Sequence, residues 1–148
     1  MNTPEFRPAR AEDYPAIRAL LAEEGLPSED VVAEQAGRFH IALRDGKLLG
    51  CVGLELYESD ALLRSVAVAK NARHGELGRA LVGIAEWDAM ALGVGRLFLL
   101  TTSAANYFSR LGYQPFDRAA APDALQSGAQ FSSLCPASAQ CMAKDLLR

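Results

Sequence analysis

Six consecutive residues, Arg73-His74-Gly75-Glu76-Leu77-Gly78, have the types and spacing to hold a phosphate. They lie between a run that reads as a buried strand, ALLRSVAVA, and one that reads as a helix, GRALVGIAEWDAMA. The first amides of a helix have no partner within it, and its aligned peptide dipoles leave roughly half a positive charge at that end. Glycine lets the main chain come close to an anion. Glu76 runs against this expectation, since a carboxylate a few ångström from a phosphate is repelled by on the order of 1 kcal/mol at surface dielectric. Three features weigh on the other side. Gly75 supplies a flexible position, the amides are intact, and a glutamate is long enough to turn outward toward Arg73 or Arg79. The alternative is a turn that merely joins strand to helix.

A sheet with helices packed on it must carry that turn. EFRPA reads as a first short strand. In AEDYPAIRALLAEEGLP, Ile17, Leu20, Leu21 and Glu24 fall at helical spacing, with Gly25 and Pro27 as stop signals. SEDVVAEQAG reads as a second short helix capped by Ser28. RFHIALR alternates, Asp45-Gly46 is a hairpin turn, and a returning strand runs from about Lys47 to Tyr57 before ALLRSVAVA. The helix from about Leu77 to Leu92 places Leu81, Ile84, Ala85 and Asp88 on one face. RLFLLTT is a central strand, SAANYFSRLGY a helix, and QPF and SAQCMAKDL a last pair of strands. The order predicts an α+β class with one partly parallel sheet.

The 148 residues suit one domain over 1–148, with a net charge of −3 that offers no clustered basic face for nucleic acid. No apolar run approaches the ~18–20 residues of a membrane span. MNTPEFRPAR holds no apolar signal core, so a cytoplasmic location is expected. Cys51, Cys135 and Cys141 are odd in number and lack zinc spacing, which predicts free packed thiols and no metal. His40 reads as a packed or surface residue, and Trp87 as core or dimer surface.

SVAVAKNARHGELGRALV resembles the signature of the GNAT superfamily, the Gcn5-related N-acetyltransferases: a strand, then Arg/Gln-x-x-Gly-x-Gly/Ala, then a helix. Arg73 and Gly78 match, and Glu76 stands where the pattern has glycine. The resemblance implies a mostly antiparallel mixed sheet in which ALLRSVAVA and RLFLLTTS splay apart to admit acetyl-CoA. Its contacts would be Val66, Ala67, Val68, Arg73, His74, Gly75, Glu76, Leu77, Gly78 and Arg79. LLRSVAV, LLTT, Tyr107-Phe108 and FSSLCPASAQCM are similar to arsenic-operon N-acetyltransferases of ArsN type. TT-x-x-x-x-[aromatic]-Phe-x-x-x-Gly resembles the acetyltransferase domain of N-acetylglutamate synthases. Both imply a small amino-acid-like amine as acceptor, including a glutamate analogue such as arsinothricin. Members are often dimers, so a homodimer is a further expectation.

By the same resemblance the Val66 amide would polarise the thioester carbonyl, with Ala67 and Val68 pairing the pantetheine. The family's acid tyrosine, four residues before the helix-ending glycine, is Phe108 here, and Tyr107 points about 100° away around the helix. Glu55 is the candidate base, or else a solvated strand-face acid. Arg64 is the candidate cation for the acceptor's anionic group, or else a structural ion-pair partner. Ser65, Thr101, Thr102 and Ser138 are candidate hydroxyl contacts. Rival readings are a degenerate acyl-CoA-binding or regulatory module and a protein N-acetyltransferase.

Overall fold

The structure, a computed structural model, describes residues 3–31, 38–73 and 76–146. The helix expected at SEDVVAEQAG falls mostly outside them. Its described start, Ser28 to Val31, is a turn, closed by a hydrogen bond from the Val31 amide to the Ser28 carbonyl at 3.1 Å. His74 and Gly75 also lie outside the described residues.

Among the described residues seven strands form one sheet, in the order β1-β2-β3-β4-β5-β7-β6. They are β1 (Glu5–Pro8), β2 (Arg38–Arg44), β3 (Lys47–Tyr57), β4 (Asp60–Val68), β5 (Arg96–Thr101), β6 (Gln114–Pro115) and β7 (Gln140–Asp145). The helices are α1 (Tyr14–Glu23), α2 (Leu77–Ala91), α3 (Ala105–Arg110) and α4 (Asp123–Gln126). Alternation in RFHIALR and the Asp45-Gly46 turn, with φ of 52° and 76°, set the β2–β3 hairpin. All strand pairs are antiparallel except β4 with β5.

On one face, α2 covers the sheet through Leu77, Leu81, Val82, Ala85 and Ala89. This stripe is turned from the expected one: Ile84 is half-buried, and Asp88 meets Arg38 of β2 at 2.8 Å. Trp87 on the same helix is 73% exposed, so it is not core. On the opposite face two apolar clusters sit side by side. One joins α1 to Phe39, Ile41, Cys51 and Ala67. The other joins α4 and Phe131 to Leu62, Phe98 and Cys141. No helix among the described residues is long and apolar enough to cross a membrane.

Two features open a gap between those clusters. β4 and β5 pair only at Asp60–Arg96, Ala61–Leu97 and Leu62–Phe98, then separate. In β4 itself Cys51 faces Ala67 and Gly53 faces Arg64, so Val52 alone opposes both Ser65 and Val66. That is a bulge, and Ser65 takes a φ of 58°, a conformation that costs a non-glycine residue about 1 kcal/mol or more.

Candidate active site

The gap is a cleft of about 820 Å³. Along β4 every residue from Leu63 to Val68 borders it, which an unbroken strand could not achieve because alternate residues face opposite sides. The bulge breaks that alternation. Leu99 to Ala104 form the facing wall, Gly25 to Glu29 after α1 a third, and Gln130, Cys135, Pro136 and Ala139 a fourth.

At one end stands Arg73. Its Nε donates to the Val68 carbonyl at 3.2 Å, and its guanidinium pairs with Glu24 at the end of α1. Glu24 Oε2 is buried without a partner among the described residues. Beyond Arg73 the chain enters α2. Glu76 is the residue before its first turn, exposed, with φ −94° and ψ 22°. That φ is open to any residue, so glutamate replaces the pattern's glycine without backbone strain. Its side chain makes no cap, while its carbonyl accepts from the Ala80 amide at 2.9 Å. Leu77 is a core residue and Arg79 is exposed. A Cβ on Gly78 would stand 2.6 Å from Tyr107 Oη, so glycine here makes room for that hydroxyl. Tyr107 is thus directed at the turn, and Phe108 borders the cleft instead. Burial first, then the charge of Glu76, raises the Tyr107 pKa, keeping its proton on. Glu76, Leu77, Gly78 and Arg79 lie past the cleft's mouth rather than in its lining.

At the other end are the two buried polar side chains among the described residues, Arg64 at 4% exposure and Gln130 at 6%. Arg64 on β4 and Glu55 on β3 are diagonal neighbours on one sheet face. Arg64 Nη1 donates to Glu55 Oε2 at 2.6 Å and to Asp30 Oδ2 at 2.5 Å, Nη2 to Asp30 Oδ1 at 2.7 Å, and Nε to Ser65 Oγ at 2.8 Å. Burial works against the charge on Arg64, and the bonds to Asp30 and Glu55 outweigh it, so the guanidinium stays charged. Arg64 also lies 6.0 Å from the centre of the Phe39 ring. Of the two roles open to Arg64, the ion pair is present, and the same residue borders the cleft. Glu55 does not border it. Its Oε1 accepts from Tyr57 Oη at 2.7 Å and its Oε2 from Arg64, so the geometry gives it a structural task before any task as base.

Of the hydroxyl candidates, Ser65, Thr101 and Thr102 line the cleft. Thr101 Oγ1 accepts from the Ala104 amide at 2.9 Å, which holds the entry to α3. Ser138 is exposed on a turn and does not reach the lining. Its segment is anchored by Arg118, which donates to the carbonyls of Pro136 and Phe131 at 2.8 Å. Cys135, half-buried with its pKa raised by burial, keeps its proton and donates to Gln130 Oε1 at 3.2 Å. Cys51 is fully buried, its thiol pushed up to about 12, and donates to the Ser65 carbonyl inside the bulge. No cluster among the described residues could hold a metal.

Asp30, Tyr57, Arg118 and Gln130 were not singled out from the sequence. Asp30 acts through a partner distant along the chain and Arg118 through loop carbonyls, while Tyr57 and Gln130 bond the side chains of Glu55 and Cys135, two and five residues away, and no local pattern marks any of them. Arg64 and Asp30 are 34 residues apart.

A family profile described as "Acetyltransferase (GNAT) domain" matches residues 35–115. An amino-acid acetyltransferase of Azotobacter vinelandii is 37% identical over 119 residues, covering 75% of this chain and 28% of that protein. One from Pseudomonas fluorescens is 32% identical over 82% of this chain and 30% of that protein. The chain thus spans less than a third of the length of these curated relatives. Among solved structures, N-acetylglutamate synthase from Neisseria gonorrhoeae, complexed with coenzyme A and N-acetyl-glutamate, has a TM-score of 0.83 at 24% identity, covering 100% of this chain and 36% of that one. A Mycobacterium tuberculosis protein solved in complex with CoA has a TM-score of 0.81 at 25% identity, covering 97% of this chain and 99% of that one. With the profile spanning more than half its residues, the strands parted after Leu62 and the bulge at Ser65, this chain belongs to the GNAT acetyltransferase family.

Proposed function

We propose that this chain transfers the acetyl group of acetyl-CoA to the amine of a small amino acid. The observation that carries this reading is the cleft, bordered without interruption by Leu63 to Val68 and ending in a buried guanidinium. A carrier arm can add to the parted strand edge through main-chain groups. An amino acid can meet charged and hydrogen-bonding groups at the far end.

The residues present fit the cosubstrate. The bulge gives β4 an extra residue that its ladder with β3 does not use, and in this reading the Val66 amide there donates to the thioester oxygen. Ala67 and Val68 continue the strand edge toward Arg73, which stands ready to exchange Glu24 for a phosphate oxygen. His74 and Gly75 join Glu76 to Arg79 as the phosphate turn in this reading. The reaction replaces the thioester C–S bond with a C–N bond, and the ammonium proton ends on the departing thiolate or on water. Phe108 brings no acidic proton to the cleft, and a thiol pKa near 8.5 lets the thiolate leave without one. Glu55 serves by holding Arg64, and water carries the amine proton. Ser65, Thr101 and Thr102 supply hydroxyls along the same walls.

Relatives named amino-acid acetyltransferases support the acceptor class. The likeness of LLRSVAV and FSSLCPASAQCM to the ArsN pattern adds glutamate-like arsenicals such as arsinothricin to it. We place the activity in the cytoplasm, and leave a homodimer as the matching assembly. The test is thiol release from acetyl-CoA against the twenty L-amino acids, glutamate analogues and a set of peptides. The reading expects turnover with one or a few amino acids. Turnover on peptides alone favours a protein acetyltransferase, and acetyl-CoA binding without any turnover favours a binding module.

A further inference from the structure

Gln130 is buried to 6% exposure, borders the cleft, and its Nε2 has no hydrogen-bond partner among the described residues. A buried amide donor without a partner is rare in a folded protein, because it gives up water and gains nothing. Its other end is fixed. The Cys135 thiol donates to Oε1, which sets the amide so that Nε2 is the unsatisfied end. The two ends of the segment are also fixed, since Arg118 binds the Phe131 and Pro136 carbonyls on either side of Cys135. These contacts hold the amide with its unsatisfied end buried beside the cleft. The described residues leave that donor open to an acceptor atom carried by a molecule in the cleft.

The charges nearby favour an anionic atom. Arg118 and Arg64 both bear on Cys135 with positive fields, and Asp30 opposes them. Arg64 borders the same end of the cleft as Gln130.

Resting on the reading of the cleft as an amino-acid acetyltransferase site, we infer that Gln130 is an acceptor-recognition residue: its Nε2 donates to a carboxylate oxygen of the incoming amino acid. The Cys135 thiol is then a positioning group that holds the amide in the donating orientation. The site would prefer an acceptor that carries a carboxylate over the amine lacking it.

The experiment compares the wild-type protein with Gln130→Met and Gln130→Glu. Met keeps the side chain's length and removes the unsatisfied donor, at the cost of one hydrogen bond from the Cys135 thiol, itself a weak donor. Acceptor KM is measured at saturating acetyl-CoA with the best of the twenty L-amino acids and with its decarboxylated amine. For the amino acid, Gln130→Met should raise acceptor KM about tenfold or more, with KM for acetyl-CoA within about twofold of wild type. Gln130→Glu should raise it further, by setting carboxylate against carboxylate. For the decarboxylated amine, wild type and Gln130→Met should agree, a result that a merely structural role would not give. Unchanged amino-acid KM in Gln130→Met, or equal losses with both acceptors, overturns the inference while leaving the functional reading intact. A wild-type protein that acetylates no amino acid overturns both.

Discussion

The two ends of the cleft are built in opposite ways. The end at Arg73 and α2 offers mainly main-chain groups on consecutive residues, and the side chains there are exposed or turned into the core. The end at Arg64 and Gln130 offers buried side chains, each held by partners brought from other parts of the chain. A turn that offers main-chain amides accepts an odd side chain without backbone strain, as Glu76 does by adopting an ordinary φ where the pattern has glycine. A site made of buried charges does not, because each removal leaves another charge unpaired.

The largest expected effect is at the side-chain end. Arg64 has 1% of its side chain exposed, against 24% for Asp30 and 17% for Glu55. Replacing it in Arg64→Leu strands two carboxylates and should cost about 3–5 kcal/mol, read as a lower midpoint in urea unfolding. A loss within the range of an ordinary surface change would break the contrast between the two ends.

A smaller effect is expected at the main-chain end, and it should be reversible. Gly78→Ala drives a methyl against Tyr107 Oη and should weaken acetyl-CoA binding several-fold by pushing that hydroxyl into the turn. Tyr107→Phe removes the obstacle, leaving the new methyl 3.6 Å from the ring carbon. The double variant should recover wild-type affinity and gain stability, since alanine is favoured over glycine in a helix by about 1 kcal/mol. Affinity equally poor in the double variant would mean that Gly78 is needed by the ligand and not by Tyr107.

Next comes the charge of Glu76. Glu76→Gln should tighten acetyl-CoA binding by a few-fold, on the order of 1 kcal/mol, measured by calorimetry. Glu76→Gly should gain no more, because there is no backbone strain to relieve. A clear advantage of Gly over Gln would show that the main chain, and not the charge, limits this end.

The smallest effect lies outside the cleft and serves as the control. His40 is half-buried, and burial lowers its pKa from 6.5, with Asp88 partly offsetting this. A depressed folded-state value means that its contribution to stability is complete above pH 6.5 and is lost as pH falls toward the folded value. Stability of His40→Gln should fall less than wild type over that window, with activity on amino acids unchanged. Parallel stability curves would remove His40 from the account.

The same contrast explains what could be read from the sequence. β2, β3 and the hairpin between them follow from alternation and Asp45-Gly46, and the start of α2 at Leu77 from its helical run, all within a few residues. The buried stripe on α2 differs slightly from the one its spacing predicts, because both Ile84 and Val82 fit a helical period and only packing on the sheet chooses Val82. The bulge at Ser65 carries no glycine, so nothing in LLRSVAV announces it. Arg64 could be named, but its partner Asp30 lies in another loop, and Gln130 sits in a stretch with no periodicity. Local patterns write the main-chain end, and tertiary contacts write the other.

The most direct test of the cleft as the cosubstrate site is an NMR titration of the backbone amides with acetyl-CoA. The account predicts saturable shifts at Val66, Ala67, Val68 and Leu77 through Arg79, with the amides of β1 and β6 unmoved. Saturable binding that leaves Val66 to Val68 unshifted, or no binding at all, would contradict it.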